Sequence, residues 1–488
     1  MNLFDLLAIS ARRAPEKTLL KDDPEAGPGR AWTAAGLLAA AERLAAGFAA
    51  RGLERGDRVA FLLGNRPEFI LAYLAVLRLG AVMVPINLAY RRREIRHILD
   101  DAKPRLLLTE EAYRGLLSEL EEEDLNGVEI GLAEELGGWD RDPSALPEKP
   151  IDGSDLGMIL YTSGTTGKSK GAMIRHDNVL ATVTGLLTAW AWEPDDALLL
   201  TLPLFHVHGL LVGMQCALAA GATVLLRRRF EAAAVVNALE SGEATLFFGV
   251  PTMYVRLVEE LRRRGPVPLP RMRLFCSGSA PLSPDTFAAF RVLTGHAILE
   301  RYGMTETGMI LSNPYAGERR PGTVGAPLPG VTVRIVEGEL QVRGSNVFDG
   351  YWQAPEKTAE SFVHDEAGHR WFRTGDLAAR DPETGAYTLL GRRTELILSG
   401  GFNVYPREVE EVLTTFPGVR EAAVAGRPHP EWGEVPVAWL VTDQEIDEPA
   451  LIEYCKTQLA GFKVPRTFHV LEALPRNALG KVQKHLLH

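Results

Sequence analysis

Short apolar runs alternate with helical patterns along the first part of the chain. Residues 59–63 and 82–85 are apolar runs of strand length, and the segments that follow them, 67–79 and 91–101, repeat apolar positions at helical spacing. Pro67 stands in the first turn of its segment, where a helix tolerates the missing N–H. Strands that alternate with helices in this way predict a parallel sheet with helices on its faces.

The pattern changes further along the chain. The same alternation resumes at residue 197, but from about residue 323 it gives way to short alternating strands such as 331–336 and 339–343, which predict a β-rich part. The final segment returns to a mixed pattern after a strand that ends in charge at 391–393. We therefore predict an α/β protein whose smaller C-terminal domain begins near that point.

Composition narrows the possible functions. The chain of 488 residues is 46% hydrophobic and 24% charged, which is ordinary for a globular protein of two or three domains. Its net charge of −10 argues against nucleic acid as a partner. Three widely spaced cysteines lack metal-ligand spacing and suit a reducing compartment. The N-terminal stretch does not look like a signal peptide, and no apolar run is long enough to cross a bilayer. We expect a cytoplasmic protein that binds neither membrane nor nucleic acid.

A glycine-rich stretch, residues 161–173, reads YTSGTTGKSKGAM and follows the apolar run 156–160. Its glycines let successive backbone N–H groups point into one concavity, while hydroxyls and the side chains of Lys168 and Lys170 suit phosphate oxygens. The alternative is a flexible linker. The spacing is not that of a P-loop, so we predict a polyphosphate-binding loop of another kind, followed by a helix over 179–190.

Other segments could carry chemistry, each weakly by itself. LPLFHVHG (202–209) places His206 at the carboxyl end of a predicted strand, where open α/β sheets bind ligands. ERYGMTET (300–307) could hold a base, a phosphate and Mg²⁺, or could simply cap a helix. RTGD (373–376) presents a carboxylate in a turn, suited to ribose hydroxyls, although such turns are common. PRNALGK (475–481) ends in a lysine and alone resembles a solvated tail.

Taken in order, these motifs and GRRTELILSGGFNVYPREVE (391–410) resemble the AMP-forming acyl-CoA synthetases of the adenylate-forming superfamily, which also contains peptide-synthetase adenylation domains and luciferases. The resemblance runs from about residue 30 to the C-terminus. ERYGMTET, SNPYAGERRPGTVGAPLPGV, NVFDGYW, SGGFNVYP and LFHVHGL are most similar to the malonyl-CoA synthetases. The implied fold has a large N-terminal domain (1–391) of mixed and parallel sheets flanked by helices, with a β-rich part. A hinge (392–394) and a small mobile α+β C-terminal domain (395–488) complete it.

The resemblance implies a ligase that uses ATP, Mg²⁺ and coenzyme A. The acid, ATP and coenzyme A would be its small-molecule partners. A carboxylate and ATP would form an acyl-adenylate and pyrophosphate, and coenzyme A would then displace AMP. The implied acid is malonate, with methylmalonate tolerated because one methyl group is worth only about 1–3 kcal/mol.

The family's functional residues carry over to matching positions. Thr305 would contact the α-phosphate, Glu306 would hold Mg²⁺, and Lys481 would be the catalytic lysine that stabilises charge on the α-phosphoryl group. Tyr302 would stack on adenine, while Asp376 and Arg392 would hold the ribose. The implied β- and γ-phosphate grip is Thr162, Ser163, Gly164, Thr165, Thr166, Gly167 and Lys168.

The resemblance also implies an acid pocket and a coenzyme A tunnel. A dicarboxylate needs a cation for its unreactive carboxylate, and Arg256 is the predicted one, although its place off the apolar helical stripe also fits a surface arginine. Thr394 stands in the hinge where many relatives carry Asp or Lys. The other predicted pocket residues are His206, Ser277 and Gly278, and the predicted tunnel residues are Ser399, Gly400, Gly401 and Phe402.

Three alternatives stay open. The chain could activate another short, medium-chain or aromatic acid, it could load a carrier protein as a stand-alone adenylation module, or it could bind a nucleotide without catalysis. A lysine acetyltransferase and deacetylase acting on Lys481 are expected as possible partners, because acetylation would remove the charge that adenylation needs.

Overall fold

The computed structural model describes residues 1–26, 29–118, 120, 125, 127–146, 151–162, 169–399, 402–429, 432–477 and 480–487. Local sequence signals set many of the helix ends. Thr33 caps a helix by accepting a hydrogen bond from the Gly36 N–H at 3.1 Å. Pro67 begins another, and Gly80 ends it in the left-handed region at φ 70°.

Helices in the described part of the chain flank the sheets. A π-helical stretch, His208–Gln215, runs directly into one of them, and a 3₁₀ turn, Arg393–Glu395, follows the last strand of the β-rich part. The α-helices are α1 (Leu3–Arg13), α2 (Ala34–Ala50), α3 (Pro67–Leu79), α4 (Arg92–Ala102), α5 (Arg114–Ser118), α6 (His176–Ala189), α7 (Cys216–Ala220), α8 (Ala232–Glu240), α9 (Pro251–Arg264), α10 (Pro284–Thr294), α11 (Pro355–Glu360), α12 (Pro406–Thr414) and α13 (Glu448–Gln458).

The strands, in chain order, are β1 (Thr18–Lys21), β2 (Ala31–Thr33), β3 (Arg58–Leu62), β4 (Val82–Pro85), β5 (Leu106–Thr109), β6 (Glu129–Leu132), β7 (Leu156–Thr162), β8 (Lys170–Arg175), β9 (Ala197–Leu200), β10 (Thr223–Leu226), β11 (Leu246–Gly249), β12 (Leu274–Ser277), β13 (Leu299–Met304), β14 (Gly308–Ser312), β15 (Ala326–Pro327), β16 (Val331–Val336), β17 (Glu339–Gly344), β18 (Phe362–His364), β19 (Arg370–Arg380), β20 (Tyr387–Arg392), β21 (Ile397–Ser399), β22 (Phe402–Val404), β23 (Val419–His429), β24 (Gly433–Thr442) and β25 (Phe468–Val470).

The N-terminal part contains two mixed sheets. One has the order β6-β5-β3-β4-β7-β8 and is parallel except for the β7–β8 hairpin. The other has the order β15-β14-β13-β12-β11-β9-β10-β1-β2 and is antiparallel only among β13 to β15 and between β1 and β2. Large side chains such as Phe61, Tyr73 and Trp190 are fully buried in the core beside these sheets.

Two smaller sheets complete the fold. Strands β16 to β20 pair antiparallel and form the predicted β-rich part. Strands β21 to β25 form a separate sheet that packs with α12 and α13 around its own apolar cluster. The predicted α/β class, with mixed sheets, a β-rich part and an α+β C-terminal unit, is confirmed. No helix of the described residues has the length and apolarity to cross a bilayer.

Two predicted elements differ from the structure. The glycine-rich stretch is predicted to join a strand to a helix, but a second strand, β8, comes before the helix and pairs antiparallel with β7. The alternation that resumes at residue 197 also predicts a regular helix after β9, but the structure has a π-helical stretch followed by the short α7.

Candidate active site

A cavity of about 1830 Å³ lies between the two mixed sheets, the β-rich part and the C-terminal unit. The strands β7 and β12 point their carboxyl ends toward it, as expected for a ligand site in α/β sheets. Its wall includes Thr162, His206, Ser279, Arg301, Met304, Thr305, Glu306, Thr374, Arg392, Thr394 and Lys481.

One side of the cavity borders the predicted phosphate grip. Residues 163–168 lie outside the described residues; before them Thr162 ends β7, and after them Lys170 begins β8. Two hydroxyls hold the Glu306 carboxylate there, with Tyr351 donating at 3.0 Å and Thr162 at 3.4 Å. Burial raises the pKa of Glu306.

This carboxylate fits a magnesium ion bound together with phosphates. The described residues contain no cluster of three or more His, Cys, Asp or Glu side chains that could hold a metal. Mg²⁺ does not need one, since it commonly takes one or two carboxylates and completes its shell with water and substrate phosphates. Glu306 is buried, lines the cavity and is oriented by hydroxyls, which suits that role.

The predicted nucleoside residues form a second group. The Tyr302 hydroxyl donates to the Asp376 carboxylate, and Arg392 Nε lies 2.7 Å from Asp376 Oδ1. Burial raises the pKa of Asp376, while the neighbouring guanidinium opposes that shift. Thr374, Gly375 and Arg392 line the cavity in front of this group. The structure thus brings the three predicted residues together.

A tight turn carries Lys481 to the cavity. The Lys481 N–H donates to Asn477 Oδ1 at 3.0 Å, and the Asn477 N–H donates to the Lys481 carbonyl at 2.9 Å. The side chain lines the cavity. Burial and the charge of Arg392 lower the pKa of Lys481. The C-terminal unit therefore delivers a lysine to a site built mainly by the rest of the chain.

Unpartnered polar atoms mark the far end of the cavity. Arg301 is 4% exposed, and its Nε and Nη2 have no hydrogen-bond partner among the described residues. His208 Nε2 and Ser277 Oγ are also buried without a partner there. A buried polar atom left without a partner costs about 1–3 kcal/mol, so a cluster of them indicates where a polar ligand binds.

This end of the cavity carries positive charge. Burial and the nearby Arg301 lower the pKa of His206 to about 4 and hold that of His208 well below its usual value, so both rings are neutral at pH 7. Burial also lowers the pKa of Arg301, but a guanidinium stays charged at neutral pH. The described residues form no ion pair with Arg301. The site is prepared for an anion.

The loop after β12 shapes this end. A Cβ added to Gly278 would lie 2.4 Å from Arg301 Cζ, so only glycine lets the guanidinium lie against the backbone here. Ser279 has a φ of 71°, uncommon for a residue with a side chain, and its Oγ is 3.3 Å from His208 Nδ1. Such strained residues cluster at ligand sites.

The structure does not bring every predicted residue to the cavity. Arg256 lies on α9 with an exposed side chain and is not part of the cavity wall. Ser399 is buried at the end of β21, and Phe402 is 56% exposed and stacks on Phe462 with a centroid distance of 4.6 Å. Gly400 and Gly401 lie outside the described residues.

Arg301 is the residue that sequence reasoning missed. The motif 300–307 is predicted either to bind nucleotide and Mg²⁺ or to cap a helix, whereas strand β13 runs through it from Leu299 to Met304. Side chains alternate along a strand, so Arg301 and Tyr302 face opposite sides. A strand periodicity test on this motif could have separated the two roles.

Comparisons with known proteins identify the family. Residues 7–352 match the family model of AMP-binding enzymes, and residues 408–481 match that of the AMP-binding enzyme C-terminal domain. The mitochondrial malonate–CoA ligase of Bos taurus is 36% identical, over 88% of this chain and 80% of that protein. ATP-bound MatB from Rhodopseudomonas palustris is 37% identical with a TM-score of 0.88, covering 100% of this chain and 98% of MatB.

A third relative was solved with nucleotide and metal. The o-succinylbenzoate CoA synthetase of Bacillus subtilis, in complex with ATP and a magnesium ion, is 31% identical with a TM-score of 0.87, covering 99% of this chain and 98% of that one. The predicted superfamily is confirmed. The chain belongs to the AMP-binding enzyme family and is an AMP-forming acyl-CoA synthetase, a ligase that uses ATP, Mg²⁺ and coenzyme A.

Proposed function

We propose that this synthetase activates malonate, converting malonate, ATP and coenzyme A into malonyl-CoA, AMP and pyrophosphate. The observation that carries the proposal is the buried Arg301 guanidinium, which lines the cavity with two donors unpartnered among the described residues. Malonate has one carboxylate to react and a second that needs a cation. Arginine suits that second carboxylate because its planar donors can bind both oxygens.

The surrounding side chains support a compact acid with two carboxylates. His206 and His208 are neutral and add hydrogen-bonding atoms without a second charge. His208 Nε2 is a further atom of the cavity wall without a partner among the described residues, whereas the predicted pocket residue Ser277 is not part of that wall. Arg301 takes over the role first predicted for Arg256, whose side chain is exposed. Methylmalonate would also be accepted, because excluding one methyl group yields only about 1–3 kcal/mol.

The reaction proceeds in two half-reactions. In the first, a malonate carboxylate oxygen attacks the α-phosphorus and pyrophosphate leaves, while Lys481 stabilises the charge that develops on the α-phosphoryl oxygens. Glu306 would hold Mg²⁺, which neutralises phosphate charge when bound. In the second, the coenzyme A thiol attacks the malonyl carbonyl carbon and AMP leaves with the bonding electrons.

The relatives are named for more than one acid, and malonate is among them. The Bos taurus protein is named as a malonate–CoA ligase, whereas the Bacillus subtilis protein is named for o-succinylbenzoate. Membership of the family therefore allows several acids, and the charge at the end of the cavity favours a dicarboxylate.

We further propose that residues 392–394 form the hinge between residues 1–391 and 395–488, with Thr394 as its last residue. In the present arrangement Arg393 Nη1 lies 3.2 Å from Glu339 Oε2, so a charge beside Thr394 can steady the hinge. A cytoplasmic location and control by acetylation of Lys481 stay predictions. Fractionation would check the first, and comparing acetylated with unmodified enzyme would check the second.

A panel of acids tests the malonate assignment. Pyrophosphate release is measured without coenzyme A, and thioester formation is measured with it, for malonate, methylmalonate, acetate, butyrate and benzoate. We expect malonate to give the highest kcat/KM in both assays. Adenylation of other acids but not of malonate would overturn the proposal. Pyrophosphate release without any thioester would instead favour a module that loads a carrier protein.

A variant tests the assigned lysine. Lys481→Ala should slow adenylation by about 100- to 1000-fold, because it removes one preorganised charge from the transition state. It should still form thioester from preformed malonyl-adenylate. Lys456→Ala is the matched control, since Lys456 lies on α13, outside the cavity wall, and pairs with the exposed Glu453. Equal loss of both half-reactions in Lys481→Ala would contradict this role.

A further inference from the structure

We propose that Arg407 is a positioning residue that docks the C-terminal unit onto the rest of the chain and thereby holds Lys481 at the cavity. The inference rests on the proposed role of Lys481 in adenylation. Arg407 itself does not line the cavity. Its effect would pass through helix α12.

The contacts of Arg407 join the two parts of the chain. Its Nη1 donates to the Leu389 carbonyl at 2.7 Å, and its Nη2 donates to the Gly322 carbonyl at 3.4 Å. Both acceptors precede the proposed hinge, whereas Arg407 follows it. The remaining Nε donates to Glu411 at 2.8 Å, and the side chain is only 14% exposed. All three edges of the guanidinium are thus used, which a lysine could not reproduce.

A second chain of contacts connects this helix to Lys481. Glu410, also on α12, accepts hydrogen bonds from Lys484 Nζ at 2.6 Å and from the Val424 N–H at 2.8 Å. Lys484 lies three residues beyond Lys481. Between them, the Gln483 N–H donates to the Pro475 carbonyl at 2.8 Å, which closes the turn that carries Lys481. The turn is therefore fastened to the same helix that Arg407 fastens to the N-terminal part.

The buried Glu300 side chain holds the Gly322 segment that accepts a hydrogen bond from Arg407. Glu300 is 6% exposed, and its Oε1 accepts the Gly322 N–H at 2.9 Å. Gly322 has a φ of 78°, so its peptide groups can bind Glu300 through the N–H and Arg407 through the carbonyl. Contacts within the N-terminal part therefore fix the position of the carbonyl that binds Arg407.

These contacts belong to one arrangement of the two parts. If the C-terminal unit moves about the hinge for the second half-reaction, the bonds from Arg407 to Gly322 and Leu389 break. Removing these bonds would therefore lower the fraction of molecules in the adenylating arrangement. It would not disturb the arrangement that forms the thioester. Both bonds come from a charged donor, so removing them should lower the adenylation rate by about 10-fold or more.

Arg407→Ala tests this with separate half-reactions. We expect malonate-dependent pyrophosphate release, without coenzyme A, to fall about 10-fold. Thioester formation from preformed malonyl-adenylate should stay within about twofold of the unaltered enzyme. Arg420→Ala is the matched control, because Arg420 forms an exposed ion pair with Asp443 within the same unit. The control should leave both rates unchanged.

Two further variants keep the test decisive. Glu410→Gln weakens the link to Lys484 and should give the same selective loss, whereas Arg407→Lys should fail to restore the adenylation rate fully. Equal loss of both half-reactions, or no loss in either, would overturn the positioning role. Lys481→Ala separates the two proposals, since failure of that variant to split the half-reactions would implicate the assigned lysine instead.

Discussion

Replacing Arg301 by methionine should shift the preference of the enzyme from malonate toward butyrate. The guanidinium is 4% exposed, has no ion pair among the described residues and lies at the end of the cavity beside two neutral histidines. Methionine is unbranched and matches the arginine side chain as far as Nε, but it removes the charge. Malonate would then bury a carboxylate without a cation, while butyrate would find an apolar wall.

The burial and the missing partners of Arg301 determine how far kcat/KM should change for each acid. Leaving one member of a buried charge pair without its partner costs about 3–5 kcal/mol, so kcat/KM for malonate should fall by about 10²- to 10³-fold or more. For butyrate, the unaltered enzyme must leave Nε and Nη2 of Arg301 unsatisfied, at about 1–3 kcal/mol each. Methionine removes that cost, so kcat/KM for butyrate should rise by about 30-fold or more.

The assay is the steady-state kcat/KM for malonate and butyrate, followed by AMP or thioester formation. Arg256→Met is the matched control, because that arginine is exposed on α9 and lies outside the cavity wall. It should leave the ratio between the two acids unchanged. A melting temperature for each variant shows that both are folded.

Two results would refute this reasoning. If Arg301→Met lowers activity on both acids equally, the residue supports the fold or the nucleotide rather than the acid. If Arg256→Met changes the acid ratio and Arg301→Met does not, the cation is the one first predicted from the sequence.

Three further predictions concern neighbouring groups. Gly278→Ala should lower kcat/KM for malonate by about 10-fold with little change in melting temperature, because its Cβ would lie 2.4 Å from the movable end of Arg301; an unchanged kcat/KM would contradict the close packing. Tyr351→Phe should raise the Mg²⁺ concentration for half-maximal activity about 10-fold, because Glu306 loses a donor, while KM for malonate stays constant; a rise in KM alone would contradict this. Burial raises the pKa of Glu300 to about 7, so the folded state keeps a proton that the unfolded state loses above about pH 4.5, and stability falls by up to about 3 kcal/mol as the pH rises from there to 7. Glu300→Gln should therefore melt higher than the unaltered protein at pH 8 and close to it at pH 5, and equal melting at pH 8 would refute the shift.

Local signals predicted the parts of the fold that local interactions determine. The helix over 67–79 and the strand over 82–85 were predicted with the bounds that the structure has, because Pro67 and Gly80 mark the ends of that helix. β8 was missed, since residues 170–175 begin with a lysine and a glycine and their strand conformation depends on pairing with β7. Nonlocal pairing of this kind leaves little trace in the residues themselves.

The candidate site likewise contains residues that the sequence predicted and one that it did not. The residues around Glu306, Asp376 and Lys481 were predicted because their motifs are ordered along the chain, and the structure brings them to one cavity or directly behind its wall. Arg301 was missed because its burial depends on the loop at Gly278, which folds against it from another strand. The roles of these residues stay predictions until variants are measured.

The docking contacts of Arg407 could not be predicted from the sequence at all. Its acceptors are two backbone carbonyls, and any residue type can supply a carbonyl. Only the arrangement of the C-terminal unit against the β-rich part brings them within reach.

The central claim is that a buried cation selects a second carboxylate on the acid. The most direct test is the ratio of kcat/KM for malonate to that for butyrate in the unaltered enzyme, measured with saturating MgATP and coenzyme A. A site built to pair a polar group rejects the analogue that lacks it by about 10⁴- to 10⁵-fold, and we predict a ratio of that size. A ratio below about 10 would contradict the account, because an unpaired guanidinium could not then face the acid.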